Sequence, residues 1–129
     1  MAGYIKLEVE KLETQQINLK INAEIFEGFQ RKCKIRNLQM CTVIEAFVRQ
    51  YANDGYHLNE EDIIKWKNDN GDVSTLNTPV NKEVYNQFKN KVKENKLFVK
   101  HVISAFIEDY ASNDYVLELK KVEEYGGGN

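Results

Sequence analysis

Apolar and polar residues alternate along residues 16–22, which read Gln, Ile, Asn, Leu, Lys, Ile, Asn. Because successive side chains of a strand point to opposite faces, this period predicts a short β-strand with one buried face and one polar face. The polar face would present Gln16, Asn18 and Lys20. Amide side chains suit the edge of adenine, and a cation suits guanine. A two-stranded β-ribbon fits the DNA major groove, so the stretch predicts half of a DNA-reading ribbon.

The same kind of stretch returns as Thr75–Asn81, within an internal repeat of constant offset. Residues 17–58 align with residues 76–117 without a gap. Identical pairs include Asn18/Asn77, Asn22/Asn81, Glu24/Glu83, Phe29/Phe88, Leu38/Leu97, Ile44/Ile103, Phe47/Phe106, Tyr51/Tyr110 and Tyr56/Tyr115. Matched apolar positions at one offset indicate the duplication of a supersecondary unit. The second strand is therefore expected to supply the partner of the first, with Thr75 and Asn77 facing outward.

Two helices are predicted after each strand. Asn22 and Asn81 are good N-caps, and each stands two residues before a glutamate that suits the helix dipole. The first helices are predicted over 23–36 and 82–95, and the second over 40–53 and 99–112. The second helices carry the wider apolar stripes and are expected to form the centre of the core. In the turns between helices, Asn37 suits a left-handed conformation and Lys96 suits it less well.

The repeats define the expected domain organisation. One compact domain, 1–129, would hold the first repeat at 16–58, a linker at 59–74, the second repeat at 75–117 and a tail at 118–129. The alternation in residues 4–12 favours a further strand, with residues 115–122 as its candidate partner. The linker is expected to form a short helix whose Ile63, Ile64 and Trp66 pack on the body. The Asn/Asp/Gly run after it predicts a turn or a flexible loop.

Composition narrows the class of protein. With 42% hydrophobic and 29% charged residues, the chain has the make-up of a soluble globular protein. No apolar run approaches the roughly 18 residues of a membrane span, and no signal peptide opens the chain. Cys33 and Cys41 lack metal-ligand spacing. Cys33 aligns with Val92 and is expected to be a buried apolar residue. These features predict a cytoplasmic protein with reduced thiols, no membrane partner and no cofactor.

The net charge of −2 argues against a nucleic-acid partner until the chain is divided. Residues 17–52 contain six Lys/Arg and three Asp/Glu, and residues 75–111 contain six and four. The acidic excess therefore lies in the termini and the linker, while both repeats are mildly basic. This distribution is compatible with DNA binding.

The order strand, helix, turn, helix, with a polar outward strand, resembles the ribbon-helix-helix family of repressors typified by Arc and MetJ. The pattern Gln16-Ile17-Asn18-Leu19-Lys20 looks like the Arc ribbon pattern Gln-x-Asn-x-Arg, with Lys in place of Arg. The resemblance implies a mainly α fold with a two-stranded antiparallel β-ribbon, in which two fused motifs form an intramolecular pseudo-dimer. It implies base contacts by Gln16, Asn18, Lys20, Thr75 and Asn77, and phosphate contacts by backbone amides at Gln39, Met40, Phe98 and Val99.

Three features depart from the family pattern. Pro79 stands where the third outward reader of the second strand is expected, and it has no backbone N–H. Thr78 replaces an inward apolar residue. Neither second helix begins with the Ser or Thr cap common in the family. The two strands would therefore offer different chemistry, which predicts a directional DNA site in place of a clean palindrome.

The predicted function is sequence-specific binding of double-stranded DNA by a transcriptional regulator, a repressor of plasmid or phage type. Several chains would occupy adjacent operator repeats about 10 bp apart. One alternative is an accessory protein of the relaxosome, bound near a plasmid transfer origin during conjugation. Another is an antitoxin-like protein-interaction module that grips its partner through residues 1–14 and 115–125. An enzyme is not expected, because His57 and His101 have no paired acid or nucleophile, and no catalytic or metal-binding residues are predicted.

Overall fold

A computed structural model of the chain describes residues 13–112. This part is mostly helical and contains one two-stranded antiparallel sheet, as predicted. Its elements in chain order are β1 (Thr14–Asn22), α1 (Ala23–Ile35), α2 (Met40–Ala52), α3 (Glu60–Ile64), a 3₁₀ turn (Lys65–Asn68), β2 (Val73–Asn81), α4 (Lys82–Glu94) and α5 (Val99–Ser112). The predicted strand at 4–12, its partner at 115–122, the last residues of the second repeat and the tail lie outside the described residues.

Both strands are longer than predicted at their N-terminal ends. They begin at Thr14 and Val73, and each spans nine residues. Backbone bonds extend the pairing further, since Lys82 N donates to Glu13 O at 3.1 Å and Ala23 N donates to Asp72 O at 2.7 Å. Main-chain pairing does not require apolar side chains. The alternating apolar pattern therefore marks only part of each strand.

Each strand passes into a helix at an asparagine, as predicted. The Asn22 Oδ1 accepts hydrogen bonds from Glu24 N at 2.9 Å and from Ile25 N at 3.2 Å. The Asn81 Oδ1 accepts from Val84 N at 3.0 Å. Each cap satisfies amides of the first helical turn that have no carbonyl partner within the helix. The caps fix the points at which the ribbon ends and the helical layer begins.

The turns between the helices are alike in the two repeats, which differs from the expectation for Lys96. Both Asn37 and Lys96 have φ of 60°. Leu38 N donates to Cys33 O at 2.8 Å, and Leu97 N donates to Val92 O at 3.0 Å. This bond closes the end of a helix when the preceding residue is left-handed. The turn thus holds lysine in a conformation that costs a non-glycine residue about 1–2 kcal/mol.

The helices pack mainly between the repeats. Helix α1 lies against α5 and α2 lies against α4, while contacts within each pair α1/α2 and α4/α5 are few. At the centre, the rings of Phe47 and Phe106 stack with centroids 4.1 Å apart and planes at 10°. Both side chains are fully buried. Since these residues are equivalent in the repeat, the two second helices meet at the same point of each.

The aromatic residues around this stack also contact one another in equivalent pairs. Two edge-to-face contacts in one half match two in the other, at similar centroid distances. They are Phe29–Phe106 at 6.2 Å with Phe47–Phe88 at 5.8 Å, and Phe29–Tyr110 at 5.6 Å with Tyr51–Phe88 at 5.3 Å. Edge-to-face rings at these separations attract beyond their burial. The core is therefore built from both repeats together.

The segment between α2 and β2 is anchored to α5, partly by Tyr56 at the end of the first repeat and partly by linker residues. Tyr56 is buried, its ring lies 5.0 Å from that of Phe47, and its hydroxyl donates to Asp109 Oδ2 at 2.8 Å. Ile63 is buried and Trp66 is half-buried, as predicted. The prediction for Ile64 was wrong, because its side chain is 44% exposed. A helix of five residues presents too few positions for its period to separate an inner from an outer face.

Candidate nucleic-acid interface

One face of the ribbon is polar and open to solvent. All five predicted base-contacting residues lie on it with exposed side chains, together with Pro79: Gln16, Asn18, Lys20, Thr75 and Asn77. The opposite face buries an apolar set, namely Ile17, Ile21, Leu76 and Val80. The apolar face anchors the ribbon on the helices, and this leaves the polar face available to a partner.

The pairing register gives the polar face identical residues at its centre and different residues toward its ends. Asn18 lies opposite Asn77, its equivalent in the repeat. Lys20 lies opposite Thr75, and Gln16 lies opposite Pro79. The Gln16 Nε2 also donates to the Asn77 Oδ1 across the strands. A bound partner would therefore meet an ammonium and a hydroxyl toward one end, and an amide and a proline ring toward the other.

The predicted phosphate-contacting residues stand at the starts of α2 and α5. Gln39 and Phe98 are exposed, while Met40 and Val99 are half-buried. The Gln39 side chain forms no cap with its own helix. Glu45, in the second turn of α2, accepts a hydrogen bond from Asn81 N at 2.7 Å. At 1.5 Å per residue, the start of α2 lies within about 8 Å along the helix axis of the residue that holds the end of β2.

The other end of the ribbon carries the linker and the start of α5. The Asn22 Nδ2 donates to the Asp69 Oδ1 at 3.1 Å, so the end of the linker sits beside the end of β1. The pKa of His101 is lowered from its ordinary value by partial burial, and further by the positive charges of Lys100 and Lys67. Lys67 in the linker therefore lies near the first turn of α5. Sequence reasoning missed Lys67 because the linker has no counterpart in the repeat.

Thr78 lies on the buried face of the ribbon and weakens its apolar packing there. This agrees with its position in a row of inward apolar residues. The residue is 2% exposed and lies opposite Ile17. Its hydroxyl is buried and has no hydrogen-bond partner among the described residues. A buried polar atom without a partner costs about 1–3 kcal/mol of stability.

Replacing Thr78 by valine should therefore stabilise the protein by about 1 kcal/mol, because the shape is kept and the unpaired hydroxyl is removed. Denaturant unfolding of Thr78→Val measures the gain. The matched control is Thr75→Val, which makes the same change on the exposed face of the same strand and should change stability by less than about 0.5 kcal/mol. A lower unfolding free energy in Thr78→Val would show that the hydroxyl has a stabilising role.

Three further features can be stated for residues 13–112. No group of three or more His, Cys, Asp or Glu residues there could hold a metal ion. Burial raises the pKa of the Cys33 thiol to about 11, so it stays protonated at neutral pH, in agreement with its predicted apolar role. No described helix has both the length and the apolar character needed to cross a bilayer.

No protein-family model, curated protein or solved structure matches the chain. A function can therefore be inferred only from the ribbon and its two flanks.

Proposed function

We propose that the protein binds double-stranded DNA in a sequence-specific manner, with its ribbon in the major groove, and regulates transcription as a repressor of plasmid or phage type. The observation that carries the proposal is the exposed polar face of the ribbon above a buried apolar face. Amide, hydroxyl and ammonium groups stand on it in a row. These are the groups that discriminate base edges in the major groove.

The dimensions of the ribbon support this use. Two paired strands lie about 4.8 Å apart, which suits a groove about 12 Å wide. From residue 16 to residue 20 the outward face runs about 13 Å, and this length covers roughly four base-pair steps. A short recognition sequence is therefore expected for one chain. Tandem copies of that sequence would be needed for a longer operator.

We further propose that the two repeats are ribbon-helix-helix motifs fused into an intramolecular pseudo-dimer. Three observations support the arrangement. Asn18 pairs with its repeat equivalent Asn77, Phe47 stacks on its equivalent Phe106, and the helices of each repeat pack mainly on those of the other. A pseudo-twofold axis through both equivalent pairs would account for all three. In this arrangement the starts of α2 and α5 flank the ribbon, where their backbone amides would bind phosphates.

The amides at the centre of the ribbon provide the decisive test. The double substitution Asn18→Ala and Asn77→Ala should abolish specific binding, because each bidentate base contact contributes about 1–3 kcal/mol of discrimination. The probe is a duplex carrying the sequence that the unaltered protein selects from a randomised library. Circular dichroism should be unchanged, since both side chains are exposed.

Asn86→Ala combined with Asn90→Ala is the matched control, because it removes two exposed asparagines that belong to α4 and not to the ribbon. It should leave specific binding intact. An unaltered footprint for the ribbon variant would exclude the ribbon as the reader. If the unaltered protein selected no sequence, specific DNA binding itself would be wrong. Recovery of bound genomic fragments then separates a promoter-binding repressor from an accessory protein at a transfer origin.

A further inference from the structure

We propose that Lys67, Lys100 and His101 form a second DNA-binding surface, here called the flank cluster, that contacts the phosphate backbone beside one end of the ribbon only. The inference rests on the proposed function and adds a contact that the repeat pattern does not contain. Its consequence is directional binding, because only one flank of the recognition sequence would be held by side-chain cations.

The flank cluster is assembled from two separate parts of the chain. Lys100 and His101 belong to the first turn of α5, and Lys67 belongs to the 3₁₀ turn of the linker, which packs on α5. Two residues after Lys67, Asp69 is hydrogen-bonded to Asn22 at the end of β1. The linker therefore brings Lys67 to the end of the ribbon toward which Lys20 also lies. The start of α5, which is the positive end of its helix dipole, lies at the same end of the ribbon.

The two lysines of the flank cluster lack the ion pairs that other lysines of residues 13–112 form. Examples among the described residues are Lys65 with Glu108 at 2.8 Å, Lys91 with Asp54 at 2.7 Å and Lys82 with Glu13 at 3.7 Å. Lys67 and Lys100 are exposed and have no ion pair with another described residue. The nearby Asp69 carboxylate accepts from the Asn22 amide. Like charges held together cost energy in the free protein, and a phosphate would offset that cost.

The first repeat lacks an equivalent surface. Cys41 and Thr42 occupy the positions that correspond to Lys100 and His101. Lys82, which follows the end of β2, is paired with Glu13. The duplicated scaffold thus offers a side-chain anion site on one flank and only uncharged groups at the matching positions of the other.

The salt dependence of binding tests the flank cluster. Each phosphate contact contributes about 0.9 to the slope of log affinity against log salt. Lys67→Gln with Lys100→Gln should therefore reduce the slope by about 2 and weaken binding to all sequences alike. The selected sequence should stay the same, and hydroxyl-radical protection should be lost on one flank only. The probe is a duplex of about 30 bp with the selected sequence at its centre.

Lys89→Gln with Lys93→Gln is the charge-matched control, because it removes two exposed lysines of α4. The flank cluster is wrong if its variant changes the slope no more than this control does, or if both flanks lose protection equally. Those outcomes would leave the proposed function intact. If the unaltered protein selected no sequence, the proposed function and the flank cluster would fail together.

A measurement without DNA checks that the cluster is assembled. Proton NMR titration of Lys67→Gln should show a higher pKa for His101 than in the unaltered protein, because one of the two nearby positive charges is removed. Lys89→Gln should leave that pKa unchanged. An unchanged value in Lys67→Gln would mean that Lys67 and α5 are not held together, and the inference would be overturned on geometry alone.

Discussion

Phe47→Ala should lower the free energy of unfolding by about 3–5 kcal/mol, and Phe106→Ala should do the same. Both rings are fully buried, and they stack on each other at the meeting point of α2 and α5. Truncation removes the apolar burial of one ring and leaves a cavity that the surrounding helices fill only in part. Equal losses from the two repeats would be the signature of a shared centre. Denaturant unfolding monitored by circular dichroism provides the measurement.

The double substitution should cost less than the sum of the single ones. Once Phe47 is truncated, Phe106 has already lost the aromatic partner that contributes about 0.5–1.5 kcal/mol. Phe98→Ala is the control, because its side chain is 63% exposed and should matter little for stability. Phe47→Leu keeps the experiment measurable if the alanine variants do not fold. Fully additive losses would contradict a direct stack, and losses below about 1 kcal/mol would contradict a central position.

Sequence periodicity predicted this central packing only in part. The helical stripes placed Phe47 and Phe106 on inner faces, and the constant offset made them equivalent. A stripe shows which face of a helix is buried but not which helix covers it, so the packing of each repeat on the other needed the structure. Tyr56 escaped notice as a core residue because it lies in a loop after α2, where no period marks it.

The candidate interface shows the same limit. The period of two assigned the outward faces of both strands correctly, since a one-residue shift would have turned every apolar side chain to solvent. No sequence period marks Lys67 as a residue of the candidate interface. Its position depends on the Asn22–Asp69 hydrogen bond and on the packing of the linker against α5. Both are long-range contacts that a local pattern does not encode.

Cutting the chain between Asn70 and Gly71 should make its stability depend on concentration. Residues 1–70 and 71–129, produced as separate chains, should each remain largely unfolded, because α1 and α2 pack mainly on α5 and α4. Mixing should restore the helical signal. A covalent linker of this kind gives an effective concentration of about 1 mM. At 1 μM of each fragment, the loss of that linkage should cost about 4 kcal/mol.

Thermal unfolding over a hundredfold range of concentration measures the effect, with the uncut protein as the control. The unfolding temperature of the uncut protein should not depend on concentration. The unfolding temperature of the mixed fragments should rise with concentration. Folding of either fragment alone would contradict a core shared by the repeats. Under the proposed function, a single chain would need no dimerisation step before DNA binding, so binding should persist at concentrations where two-chain ribbons dissociate. Because one chain supplies both strands, the paired residues need not be identical, and Gln16 faces Pro79 while Lys20 faces Thr75. The two ends of the ribbon can therefore carry different side chains within one molecule.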